Sequence, residues 1–239
     1  ERAVNAYFLK LGETVCNALN IIGYSFCKGE IMAKNPKWCQ PLSAWENYFN
    51  SWIKTPEPQQ LLDATIFFDL RNVYGDITLT EKLKTTVSTA ISNHPLFLYH
   101  LAYNTCNIKP AHISTGTILS DKHADIVDLK SAVIPIIMFA RTYSFQNNID
   151  CENTIDRLTA LSDRNIINKN MADEIVFAYN FLMRLRFKNQ VNLLHNNKPV
   201  SNILNTKLLI DIELYVLKKV LSTIPEFQNK IKTDFRITT

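Results

Sequence analysis

Thr65-Ile66-Phe67-Phe68-Asp69-Leu70-Arg71 sets one carboxylate inside a run that is otherwise apolar, aromatic and β-branched, the composition of a half-buried strand. Strand alternation places Thr65, Phe67, Asp69 and Arg71 on one face. Isolating a charge in an apolar interior costs several kcal/mol unless it is paired or holds a metal, a sizeable share of a small domain's net stability. Asp69 therefore needs a partner. The residues alone leave two open: Arg71 neutralises it on the same face, or it is a metal-binding carboxylate at the mouth of an active site.

The 239 residues suffice for one large or two modest domains, and 46% hydrophobic with 20% charged residues is the balance of an ordinary soluble globular chain. A net charge of +4 spread along the sequence lacks the basic footprint of a duplex-binding domain, so no nucleic-acid partner is expected. Cys16, Cys27, Cys39, Cys106 and Cys151 form no CxxC pair and no metal-ligand spacing, as suits reduced thiols in a cytoplasm. The longest apolar runs break well short of the roughly 18 residues a membrane span needs, and no signal peptide opens the chain. A soluble, cytoplasmic protein with no membrane partner is expected. The chain opens at Glu1, without an initiator Met and inside a helical pattern, so it is expected to be one part of a longer polypeptide.

Organisation changes near residue 77. Before it, helix and strand signals mix: Val4, Phe8, Leu11, Val15, Leu19 and Ile22 recur at helical spacing, with Gly23 as a C-cap. Residues 24–33 read as a strand interrupted at Lys28-Gly29, and Asn35-Pro36 as a turn. A second helix comes after Pro41, with Ser43 as N-cap and Glu46 as its capping-box partner. Trp45, Phe49 and Trp52 share one face of it, a stripe that reads as core. Beyond Gly75 strand signals nearly vanish, and residues 80–93, 95–107, 131–145, 151–162, 172–194 and 206–221 read as the helices of a bundle. The expected fold is α+β, mostly α, divided into residues 1–77 and 78–239.

The helical half carries unusual charges. Residues 172–194 are apolar almost all round, the mark of a helix buried on several sides, yet Arg186 and Gln190 share a face with Leu182. Either Arg186 points into a polar-lined space, or it snorkels or pairs with a carboxylate such as Asp128 or Asp156. Asp128-Leu129-Lys130 precedes the apolar helix that contains Pro135 and Arg141, and Asn153 or Thr154 is placed to cap the helix that carries Arg157. Such cations, if they converge on one groove, suit a phosphate-bearing ligand.

Cys27-x-Gly29-x-x-Met32-Ala33-x-Asn35-Pro36-x-Trp38, Trp45-x3-Phe49-x2-Trp52-Ile53 and Ile66-Phe67-Phe68-Asp69-x-Arg71-x-x-x-Gly75 together resemble the C-terminal part of bacterial nucleotidyltransferases. These are related to the uridylyltransferase of PII nitrogen signalling and, more distantly, to DNA polymerase β. Asp128-Leu129-Lys130, Ala140-Arg141, Asn153-Thr154-x2-Arg157-Leu158 and Leu185-Arg186-x3-Gln190 continue the resemblance into the helical substrate-binding domain of such enzymes.

The resemblance implies a partial polymerase-β-like nucleotidyltransferase domain followed by a helical bundle. In such enzymes three carboxylates hold two Mg²⁺ ions for in-line transfer of a nucleotidyl group, and Asp69 matches the third. The other two lie after a Gly-Ser loop that this sequence lacks, so either the first half of the catalytic domain is encoded upstream, where the resemblance also implies a cyclic-nucleotide-binding or CBS sensor module, or the protein has lost it. The implied activity is Mg²⁺-dependent transfer from a nucleoside triphosphate to a protein or small-molecule acceptor, with the isolated chain inactive. Asp69 is then the catalytic metal ligand, and Lys130, Arg141, Arg186, Gln190, Asp128, Asn153 and Arg157 are candidate substrate contacts. The alternative is a non-catalytic regulatory module that binds a nucleotide or a partner protein.

Overall fold

The computed structural model describes residues 2–109, 111–118 and 121–238. Among them the chain forms nine α-helices and one small antiparallel sheet, the mostly helical α+β architecture expected. No helix among these residues is long and apolar enough to cross a membrane.

Helix α1 (Arg2–Ile21) carries the expected stripe of Val4, Phe8, Leu11, Val15 and Leu19, but these side chains are between 44% and 59% exposed. Its buried residue is Gly12, where an added Cβ would stand 2.5 Å from the Ala33 carbonyl oxygen; only a glycine lets the helix lie this close to the segment after it. Gly23 ends the helix as expected. At φ +106° it lets the Tyr24 and Gly23 amides donate back to the Leu19 and Asn20 carbonyls, a Schellman closure. Residues 24–33 form turns rather than the expected strand. Within them Glu30 N–H donates to the Cys27 carbonyl at 3.0 Å and Met32 N–H to the Glu30 carbonyl at 3.1 Å, local turn bonds in place of strand pairing.

A first core is enclosed by α2 (Leu42–Lys54), α3 (Pro58–Phe67), α4 (Ile77–Asn93) and the first turns of α5 (Pro95–Asn107). Phe49, Ile53, Ala64 and Phe97 are fully buried in it. The Trp45, Phe49 and Trp52 stripe is core, with Trp45 and Trp52 both packed on Phe67 at centroid distances of 4.7 and 5.9 Å. Pro41, not Ser43, occupies the N-cap of α2, and Glu46 accepts a hydrogen bond from the Thr86 hydroxyl of α4 at 3.3 Å instead of capping. Thus α4, which begins at residue 77, packs on α2.

The run 65–71 is not a strand. Helix α3 continues through Phe67, Phe68 N–H donates to the Ala64 carbonyl, and an irregular loop comes next. The buried positions Leu61, Ala64 and Phe68 recur at helical spacing, and packing of Phe67 and Phe68 into the aromatic first core overrides the strand propensity of Ile66, Phe67 and Phe68.

The second core surrounds α6 (Leu129–Gln146), which is buried along most of its length among α5, α7 (Thr154–Asp163), α8 (Lys169–His195) and α9 (Asp211–Asp234). Residues 206–210, expected as the start of the last helix, instead contain a 3₁₀ turn over Thr206–Leu208. All strands lie in this half, against expectation: β1 (Ser114–Ile118) pairs with β2 (Asp121–Asp128), and β2 with β3 (Ile203–Asn205), both antiparallel. The sequence of β1 and β2 lacks the apolar alternation that announces a half-buried strand, so their pairing left no periodic signal. Strand β2 runs directly into α6, whose first N–H groups are capped by Asp128.

Candidate functional site

Asp69 sits just past α3, where the two cores meet. Its Oδ1 accepts from Arg157 of α7 at 2.6 Å and its Oδ2 from Arg141 of α6. Arg71, the expected partner, is exposed, because the chain at Asp69 is a loop and no alternation places the two on one face. The Arg141 and Arg157 side chains keep only 11% and 4% of their surface, against 33% for Asp69. Burial pushes the Arg141 guanidinium below its ordinary pKa, and Asp69 partly offsets that shift. Around the junction Phe68 packs on Phe145 at 4.4 Å, and the Arg157 guanidinium lies 5.9 Å from the centre of the Phe145 ring.

Beside this junction a cleft of about 320 Å³ opens between α4 and the α6–α7 connection, lined among others by Phe68, Lys84, Ser144, Phe145, Asn148 and Arg157. Burial works against the charge of Lys84, but Asp150 and Glu152, at 2.9 and 3.4 Å, raise its pKa above the ordinary lysine value overall. The Ser88 hydroxyl donates to the Asn148 side-chain oxygen at 2.9 Å. Three buried atoms here, Arg141 Nε, Arg157 Nε and Ser144 Oγ, have no hydrogen-bond partner among the described residues.

The other expected site residues stand apart. Arg186 Nε and Gln190 Nε2 both donate to the Asn202 side-chain oxygen, at 2.7 and 3.1 Å, and Asn189 donates to the Ser201 and Ile203 carbonyls. Arg186 therefore meets a neutral amide instead of Asp128 or Asp156. The Asn202 carbonyl accepts from Leu129 N–H, which ties this cluster to the first turn of α6. There Asp128 accepts from the Lys130 and Ser131 amides, and the Lys130 side chain is exposed. Residues 130 and 141 lie about 17 Å apart along the helix axis at a rise of about 1.5 Å per residue, so the two clusters do not share a groove. Asn153 caps α7 by accepting from Asp156 N–H at 2.8 Å, one turn before Arg157. Lys84 and Ser144 were missed; a hydroxyl within a helix buried on all sides was the available signal for Ser144.

A magnesium site of the kind implied by the resemblance does not fit these residues. Each Asp69 oxygen already holds a guanidinium, two cations flank the position, and no group of three His, Cys, Asp or Glu side chains among the described residues is arranged to hold a metal. As described, both oxygens of the expected catalytic carboxylate are taken up by Arg141 and Arg157.

Residues 95–235 match the family described as "Putative nucleotidyltransferase substrate binding domain", and residues 1–59 match the one described as "Putative nucleotidyltransferase". No curated protein and no solved structure matches the chain. Arg141, Ser144, Arg157 and the Arg186 cluster fall within the first match, whereas Asp69 and Lys84 fall between the two. Since residues 95–235 make up more than half of its length, the chain belongs to the nucleotidyltransferase substrate-binding domain family.

Proposed function

We propose that this chain is the substrate-holding portion of a signalling nucleotidyltransferase that transfers a nucleotidyl group from a nucleoside triphosphate to a protein or small-molecule acceptor. The observation that supports this most is the junction itself. A carboxylate from between the two matched regions binds two arginines of the substrate-binding region, and this holds both cores as one unit beside a cleft. The role of the chain is then to bind and position. Carboxylates that bind magnesium come from a catalytic half upstream, since the described residues present no such set.

The isolated chain, incubated with Mg²⁺, labelled nucleoside triphosphates and a cell extract, is expected to label nothing. A polypeptide extended upstream, with the Gly-Ser loop and its two aspartates, is expected to label an acceptor. Metal-dependent labelling by the chain alone overturns this division of labour. Absence of labelling by the extended protein favours a second reading, a regulatory module without catalysis, which the engagement of both Asp69 oxygens also favours.

A further inference from the structure

Two buried guanidiniums share one carboxylate. Among the described residues Asp69 is the anion bonded to both Arg141 and Arg157, which leaves one positive charge in excess where the two cores meet. A buried charge without a counter-charge is expensive, and buried N–H and O–H groups normally find partners. Here three do not: Arg141 Nε, Arg157 Nε and Ser144 Oγ, the last one helical turn beyond Arg141. The excess charge, together with the unmet donors of Arg157 and Ser144, the two of these residues that line the cleft, points to an absent anion with several acceptor oxygens.

The cleft leads to that spot. Ser144 and Arg157 line it, and Phe68 and Phe145 supply an apolar wall. Its volume of about 320 Å³ lies at the lower end of the usual range of about 300–1,000 Å³ for small-molecule sites. The acids on its lining do not bar an anion. Asp150 and Glu152 side chains are 73% and 42% exposed and screened by solvent, whereas the Lys84 and Arg157 side chains are 28% and 4% exposed. A ligand thus passes the carboxylates in water and meets the cations at depth.

We propose that this cleft binds a small phosphate-bearing ligand, whose phosphate accepts hydrogen bonds from Arg157 and Ser144 and whose remainder rests on Phe68 and Phe145. The phosphate supplies the second counter-charge of the arginine pair. That the phosphate belongs to a nucleotide rests on the proposed function; that the cleft recognises a phosphate does not.

Calorimetric titration of the chain in a chloride buffer with inorganic phosphate, adenosine monophosphate and adenosine tests the proposal. Phosphate and the nucleotide are expected to bind at one site, the nucleotide more tightly, and adenosine not to bind. Phosphate binding without any gain from the nucleotide overturns the apolar half of the proposal, and adenosine binding as tightly as its monophosphate overturns the phosphate half. Because Arg157→Ala endangers the fold of the junction, the deciding variant is Ser144→Ala, which removes one hydroxyl and no charge. It is expected to keep its melting temperature and to weaken nucleotide binding roughly tenfold, about 1.4 kcal/mol. Unchanged affinity in Ser144→Ala, or no saturable binding of phosphate or nucleotide to the wild-type chain, overturns the proposal. Loss of labelling by the extended protein while phosphate still binds counts only against the transferase reading, and labelling without phosphate binding at the cleft counts only against this one.

Discussion

Arg141 with Arg157, and Arg186 with Gln190, are two answers to the same problem of placing a guanidinium inside a helical bundle. The first pair meets a carboxylate carried in from the other core, so its bonds are ionic and span the molecule. The second meets the amide oxygen of Asn202, and its bonds fasten the segment around β3 to α8 within a single core. The charge of the acceptor makes the difference. A neutral acceptor satisfies donors and leaves the charge of Arg186 to solvent, because that side chain is only partly buried. A carboxylate is required where the guanidinium keeps almost no contact with water. The arginines of the junction and Arg186 thus carry different energetic weight within one fold.

The largest effect that can break this contrast is expected at the junction. Asp69→Asn leaves two buried guanidiniums without a counter-charge and should destabilise the chain by about 3 to 5 kcal/mol, read from the urea midpoint at constant m-value. A neutral or stabilising result would mean that Asp69 is kept at a cost to stability and that the junction is not structural. At the second cluster Arg186→Ala should cost about 1 to 2 kcal/mol, the scale of lost hydrogen bonds to a neutral acceptor. A loss as large as that of Asp69→Asn would place an ionic partner at Arg186 and erase the distinction. The smallest effect belongs to Lys84→Gln, whose carboxylate partners stand in solvent; less than about 1 kcal/mol is expected from thermal melts. Its folded pKa is raised, so this contribution is present below the ordinary lysine value of about 10.4 and is lost as pH rises through the folded value.

Much of the helical half was legible, because amphipathic spacing and its stop signals are local. Pro95 opens α5 and Gly23 closes α1 where residue chemistry places them. The run 65–71 misled because Ile66, Phe67 and Phe68 suit a strand and a buried helix equally. What separates the two is the aromatic core that Phe67 and Phe68 enter, and it is assembled from distant residues. The sheet left no trace because residues 114–128 are mostly polar in sequence, and of the described strands β2 is held between β1 and β3 by pairing that a local pattern does not show. That Asp69 needs a partner was readable, as was the shared face of Arg186 and Gln190. Which residue meets each of them was not. Arg71 was near in sequence and Arg141 and Arg157 were far, and distance in sequence carries no information about contact across two cores.

That distance has a consequence in time. Arg141 reaches Asp69 across 72 residues and Arg157 across 88, so each bond closes a long loop and must wait for both cores to take shape. Each core can gather its own aromatic or aliphatic side chains first, with the arginines still hydrated. A junction that forms after the rate-limiting step is expected to leave the refolding rate of Asp69→Asn near that of the unaltered chain and to raise its unfolding rate. Stabilisation gained that late slows unfolding while leaving refolding nearly unchanged, so Asp69 governs how long the folded chain persists more than how fast it forms.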